Sequence, residues 1–200
     1  MSKKVITFIS LVLILGGALT LFLVSYRNGD KDDVPLVFAD RTMLSSLWDN
    51  YKKVIWESET GRTVDKERDS ITTSEGQSYT MLRSVWQSDK ETFDKSWSWT
   101  QEQLGRPDDE LFSWKWGQRA DKTYGVLTAD GGFNTASDGD VDIALALLMA
   151  GERWQQKSYI DQAKAIINDI WEKEVVEING FPYLAGNNLV KQAKDSAIIN

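Results

Sequence analysis

A chain of 200 residues is long enough for one domain with a substantial core and rarely for two, and its 42% hydrophobic and 26% charged residues are those of a globular protein. It contains neither cysteine nor histidine, which excludes disulfides, thiolate redox chemistry, the usual zinc sites and histidine-dependent nucleophiles. The formal net charge is −7, and Lys3, Lys4 and Arg27 are the only side-chain charges before residue 28, so the acidic remainder repels phosphate backbones and nucleic acid is not an expected partner.

From Val5 to Tyr26 runs VITFISLVLILGGALTLFLVSY, 22 residues without a charge. Cleavable signal peptides have apolar cores of roughly 7–15 residues, whereas a bilayer span needs about 20. No small-x-small cleavage sequence follows closely; Val37-Phe38-Ala39 lies too far on. Residues 1–27 are therefore expected to be an uncleaved membrane anchor, with a long signal segment as the second reading. Lys3 and Lys4 ahead of the span, against Arg27 and Lys31 behind it, lean weakly towards an inside N-terminus and a body outside the cytoplasm. Residues 28–39 form a polar linker, and the folded body begins at about residue 40.

Met43, Leu44, Leu47, Trp48, Tyr51 and Ile55 recur at helical spacing, which predicts an amphipathic helix over 40–56. Residues 57–73 are polar and contain Gly61, a connecting loop. Ser74 is the expected cap of a second helix reaching about Gln87, with Tyr79, Leu82, Val85 and Trp86 inward. A third helix is expected from about Lys90 to Leu104, stopped by Gly105 and Pro107. Residues 105–137 read as glycine-punctuated loops and short extended pieces. Helices four and five are expected at about 139–154 and 158–174, followed by a hairpin with its turn at Asn179-Gly180. The rhythm points to pairs of antiparallel helices rather than to a sheet protein.

With histidine and cysteine gone, acid–base chemistry near neutral pH falls to carboxylates and their neighbours. Asp138-Gly139-Asp140-Val141-Asp142 is not an EF-hand loop, because its sixth and twelfth places hold Ile143 and Met149 instead of Gly and Glu. On pattern alone it is a helix start, with Asp138 as cap and acids favoured in the first turn by the helix dipole. Thr72–Leu82, TTSEGQSYTML, is a second helix start, with Glu75 in its first turn. Gly76 there costs helix propensity, about 1 kcal/mol against Ala, so something is expected to need close approach. A helix N-terminus favours a carboxylate, whereas a general acid must hold its proton at working pH. That role needs burial or a neighbouring like charge. Asp138 is the natural neighbour, so the two helix starts are expected to face one cleft.

ASDGDVDIALALLMAGERW (136–154) resembles the signature of glycoside hydrolase family 8, and SEGQSYTML (74–82) resembles that family's Ser-Glu-Gly-x-x-Tyr motif. DKETFDKSWSWTQEQL and LFSWKWG (111–117) are similar to the family as well. The resemblance spans about 40–200 and implies an all-α fold, part of an (α/α)6 toroid around an acidic, aromatic-lined groove. It implies endo-hydrolysis of β-1,4-linked polysaccharide (cellulose, mixed-linkage glucan, xylan or chitosan) with inversion, by a monomer needing no metal and no cofactor. Under it, Glu75 is the general acid and Asp138 binds and distorts the sugar at the cleavage point. Trp114 or Trp116 is a stacking platform, and Tyr79, the tyrosine of the acid motif, also contacts substrate. Asp140 and Asp142 receive no role.

Two departures from the family pattern stand out. Thr80 replaces a frequent glycine and is expected to crowd the cleft. Five body helices are also fewer than half a toroid, and the family's usual general base lies further downstream. The 40–200 domain is accordingly expected to be the N-terminal part of a longer enzyme. The rival reading is a catalytically incomplete fragment or a module that binds polysaccharide without cleaving it. Nine tryptophans exceed what one small core needs; core packing is expected for Trp48, Trp86, Trp154 and Trp171.

Overall fold

Apolar residues at helical spacing fix the main elements, and polar caps fix where they start. The computed structural model describes residues 41–192, with side chains for 42–190. The expected membrane segment, 5–26, and the linker, 28–39, lie outside these residues. Within the described residues no helix is long and apolar enough to cross a membrane. Helices run over α1 (Arg41–Ile55), α2 (Ser74–Gln87), α3 (Lys90–Leu104), α4 (Ser137–Arg153), α5 (Lys157–Lys173) and the short α6 (Asn188–Gln192). Small strands fill the connections: β1 (Trp56–Glu57), β2 (Arg62–Thr63), β3 (Thr72–Thr73), β4 (Lys115–Gln118), β5 (Tyr124–Val126), β6 (Val175–Ile178) and β7 (Phe181–Leu184). The helices match the expected ones to within two or three residues. The strands make three small antiparallel sheets, β1-β2, β3-β4-β5 and β6-β7. Most of these short pairings carry too little periodicity to be read from sequence. The 179–180 turn is the exception: Asn179 and Gly180 both adopt positive φ, 54° and 80°, as a two-residue hairpin turn requires.

The second and third helices form an antiparallel pair because only two residues separate them. Ser88 takes the left-handed conformation at the end of α2, and its N–H bonds back to Ser84 and Val85. Asp89 then caps α3 by accepting from the Thr92 N–H at 3.1 Å. The same carboxylate accepts from Trp48 Nε1 at 2.9 Å and Lys52 Nζ at 2.8 Å, which ties α1 to this corner. Burial opposes the charge on Asp89, but the bonds from Lys52, Trp48 and Thr92 outweigh it and hold its carboxyl down at about 2. Because the folded value lies below the unfolded one, the stability that Asp89 contributes is present above about pH 4 and lost as pH falls towards 2. Asp89→Ala is expected to cost about 1–2 kcal/mol at neutral pH, the upper part of the range for a lost cap, and to remove that acid-limb loss. Urea unfolding of both proteins at neutral and acid pH checks this.

Phe93 lies at the centre of the core with edge contacts to Trp154 and Tyr159, each at 5.2 Å between ring centroids. Met81, Val85, Ile143, Leu147, Ala150, Ala163 and Ile166 complete the layer between α2, α3, α4 and α5. Helices α2 and α4 run parallel and in contact along their length. Gly139 meets Ser74 at one end, and Leu148 and Met149 stand beside Val85 at the other. On the side away from α4, α2 buries a polar stripe. The Gln77 amide accepts from the Thr63 N–H at 2.6 Å and donates to Ser96 O and Thr100 Oγ1 at 3.1 and 3.0 Å. Both polar ends of the Gln77 amide therefore meet partners, as burial demands.

Several side chains differ from expectation. Trp86 and Trp171, expected in the core, are 56% and 63% exposed, since each falls on its helix's outer face. Met43, Leu44 and Leu47 of α1 are likewise exposed, and among the described side chains of that helix only Trp48 is deeply buried. Thr80 does not crowd any cleft: it is fully buried, bonding Tyr51 Oη at 2.8 Å and Thr63 Oγ1 at 2.7 Å.

Candidate active site

The β3-β4-β5 sheet delivers the chain to the start of α2. Thr72 and Thr73 pair with Trp116 and Lys115, and the Ser74 N–H then donates to the Trp114 carbonyl at 3.1 Å. Thr73, rather than Ser74, is the cap: its hydroxyl accepts from the Gly76 N–H at 3.0 Å. Glu75 follows in the first turn, half-buried at the rim. At the start of α4 the cap is Ala136, which offers no side-chain bond, so Asp138 stands inside the first turn instead of capping it. Its carboxylate accepts from the Gly139 N–H at 2.7 Å and is otherwise exposed.

The two helix starts meet. A Cβ placed on Gly139 would lie 2.5 Å from Ser74 Oγ and 3.0 Å from the Glu75 nitrogen, so only glycine lets the turns approach this closely. The demand for close approach read at Gly76 belongs to Gly139. At Gly76 a Cβ would meet nothing nearer than its own cap, Thr73 Oγ1, at 3.3 Å.

Electrostatics ties the side chains together. Tyr79 Oη donates to Glu75 Oε1 at 2.7 Å. That bond first, then partial burial and the charges of Glu75, Asp142 and Asp138, push the phenol up to about 12. Asp142, one turn beyond Asp138, is raised by burial and then by the negative charges of Asp138 and Glu75. Glu75, Tyr79, Asp138 and Asp142 thus share one field. Sequence reasoning brought the first three together and gave Asp142 nothing, although its i, i+4 spacing from Asp138 places both on one helix face. Tyr79, expected inward, is 41% exposed, which its bond to the rim carboxylate explains. Beside it, Arg83 lies over the rings of Tyr51 and Tyr79, at 4.9 and 5.5 Å. These residues and Glu75 border a groove of about 380 Å³ between α1 and α2. A larger cavity of about 870 Å³, between α3 and α5, contains none of the four.

Trp114 and Trp116 part company. Trp114 is half-buried, its Nε1 donating to the Gly131 carbonyl at 3.0 Å. Trp116, expected to present a face to a ligand, is instead 8% exposed. Trp99 meets it edge-on at 5.2 Å, the Arg62 guanidinium covers its ring at 4.5 Å, and Tyr124 stacks on it at 5.5 Å. The outward ring of that stack is Tyr124, 57% exposed. Nothing in the spacing of KWG marked it, because the pairing that brings Tyr124 over Trp116 is made by the β4-β5 register.

The family model for glycosyl hydrolases family 8 matches residues 34–200. The chain belongs to that family. An endoglucanase of Escherichia coli (strain K12) is 36% identical over 153 residues, covering 75% of this chain and 40% of that protein. An endoglucanase of Xanthomonas axonopodis pv. citri (strain 306) is 40% identical over 123 residues, covering 60% of this chain and 31% of that protein. Among solved structures, endo-beta-1,4-glucanase CMCax from Acetobacter xylinum superposes with a TM-score of 0.69 at 30% identity, covering 80% of this chain and 48% of that one. The endo-1,4-D-glucanase of Vibrio fischeri ES114 gives 0.66 at 33%, covering 72% and 41%. This family 8 chain spans about 40% of the length of the E. coli relative, and its helix-rich body has the fold of those structures over the shared part.

Proposed function

We propose that this chain acts as an endo-acting glycoside hydrolase that cleaves β-1,4-linked polysaccharide with inversion, with Glu75 as its general acid. The observation that carries the reading is the meeting of two helix N-termini at Gly139, which groups Glu75 with Asp138 and Asp142. Hydrolysis of a glycosidic bond needs a proton for the leaving oxygen and negative charge to stabilise the oxocarbenium-like centre. Glu75 supplies the proton, and Tyr79 fixes its carboxyl by the 2.7 Å bond. Asp138, more exposed, binds the sugar hydroxyls at the cleavage point, and Asp142 deepens the negative field. An inverting enzyme separates its acid and base by about 6.5–9.5 Å to leave room for water; the base in this reading comes from beyond the α2–α4 pair. Trp114 and the outward Tyr124 are the proposed sugar platforms. Endoglucanase names among the relatives support cellulose or mixed-linkage glucan ahead of xylan and chitosan.

The same reading makes the helices part of an (α/α)6 toroid, with α2 and α4 inner and α3 and α5 outer. In support, the solved relatives are covered by less than half of their length, and apolar side chains such as Leu47 and Leu145 remain uncovered at the helix edges. Residues 5–26 anchor the body outside the cytoplasm, where polysaccharide is met, and the working unit is a monomer.

Reducing-end release by the full chain, measured on carboxymethyl-cellulose, lichenan, xylan and chitosan, tests the proposal. Turnover on one of them supports it, whereas binding without turnover on all four favours the rival reading of a polysaccharide-binding module. Tyr79→Phe is expected to lower kcat about 2–10-fold with KM little changed, in line with the roughly 0.5–1.5 kcal/mol of one hydrogen bond. Steady-state kinetics on the best substrate reads this.

A further inference from the structure

Two residues beyond Asp138, Asp140 is fully buried, and so is Glu174 at the junction of α5 and β6. One oxygen of each carboxyl is satisfied. The Phe112 N–H donates to Asp140 Oδ1 at 3.0 Å, and the Thr135 hydroxyl donates to Glu174 Oε1. Thr135 is itself held by Asn188, which donates its own N–H to the Thr135 hydroxyl at 2.9 Å and accepts the Thr135 N–H at 3.1 Å. The remaining oxygens, Asp140 Oδ2 and Glu174 Oε2, are buried and meet no donor among the described residues, yet the two carboxyls lie within hydrogen-bonding reach of each other. Ionised carboxylates only accept, so two facing acceptors cannot bond unless one carries a proton. Two buried negative charges side by side would be strongly unfavourable.

We infer that Asp140 and Glu174 share one proton, given by Asp140 Oδ2 to Glu174 Oε2, and that this pair latches the first turn of α4 to the end of α5. The latch positions Asp138, which rides on that turn, and Asp142, one turn further along the same helix. Its need is plain from the cap: Ala136 gives α4 no side-chain bond. The turn is otherwise held at its entrance by the Ser137 N–H bonding Gly186 O at 3.2 Å.

From the 105–112 loop, Arg106 favours ionisation and Asp109 opposes it. Asp109 is itself neutralised by Arg106 at 2.9 Å and by Lys173 of α5 at 3.1 Å. From α4 the pair's own Asp140 faces Glu174, and α6 contributes the neutral Asn188. Burial dominates for both members, with the Glu174 charge second for Asp140, and both titrate above the ordinary carboxylate range as a coupled unit. The folded values exceed the unfolded ones. The stability linked to the pair is therefore complete below about pH 4 and lost progressively as pH rises through the raised values.

This inference stands on the buried pair and does not require the proposed hydrolysis. The test is the infrared C=O stretch of a protonated carboxyl in the full chain, in a detergent without carboxyl groups, at about pH 7, where ordinary carboxyls are ionised. Besides any band that E75Q removes, one such band is expected, and it is absent in D140N and in E174Q, each of which supplies an amide donor in place of the proton. The fall in Tm between about pH 5 and pH 8 is expected to shrink by about half or more in D140N. Absence of the band in the wild-type chain, or its persistence in both variants, overturns the inference.

Discussion

Replacing Glu75 by Gln is expected to lower kcat by about 10²–10⁴-fold, the range that general acid catalysis contributes. The amide keeps the size and shape of the carboxyl, and its carbonyl still accepts from Tyr79 Oη, so the rim geometry at 2.7 Å persists. What it loses is the transferable proton. Polysaccharide affinity should stay within about a factor of two or three, because a change confined to the transition state leaves ground-state binding alone. Thermal melting of the variant should match the parent, since Glu75 makes no buried contact that Gln cannot reproduce. Steady-state kinetics with an affinity measurement separates these terms. A fall in affinity equal to the fall in kcat/KM would assign Glu75 to binding instead of chemistry.

Gly139→Ala is expected to reduce both stability and turnover. Its new methyl would meet Ser74 Oγ at 2.5 Å and the Glu75 nitrogen at 3.0 Å. The hydroxyl can rotate away, but the backbone nitrogen cannot, so α2 and α4 must part by a few tenths of an ångström at the rim. Overpacking of this kind costs about 1–3 kcal/mol. The displacement falls on the turns that carry Glu75 and Asp138, and catalytic geometry is sensitive at that scale. A drop in kcat of about tenfold or more is expected to persist at temperatures where the variant remains folded. Unfolding by urea and kinetics on the same preparation check the two parts; a destabilised but fully active variant would show that the helix junction does not set the site.

The helices were legible because their apolar spacing is long and regular, and the Asn179-Gly180 turn because only such residues take two positive φ values at small cost. The pairing of Glu75 with Asp138 was legible from two helix-start motifs and a resemblance to the family, which spacing alone could not replace. The short strands were not legible. Thr72-Thr73 pairing with Lys115-Trp116 depends on segments more than forty residues apart, and two-residue pairings leave no periodic trace. That missing sheet explains the misjudged aromatics: without the β4-β5 register, nothing says that Tyr124 covers Trp116. Asp140 was left without a role because its partner, Glu174, lies just past the end of another helix, and a buried acid in a first turn looks in sequence like any exposed one. Trp86 was read inward with its neighbour Val85, but consecutive helical residues point about 100° apart and only Val85 is buried; Trp171 likewise falls on the outer face of its helix.

Proton NMR of the full wild-type chain acting on a short β-1,4-linked gluco-oligosaccharide reads turnover and stereochemistry together. The account predicts that new reducing ends first grow as the α-anomer and only later equilibrate. First growth of the β-anomer, or binding of the oligosaccharide with no product at all, would contradict it.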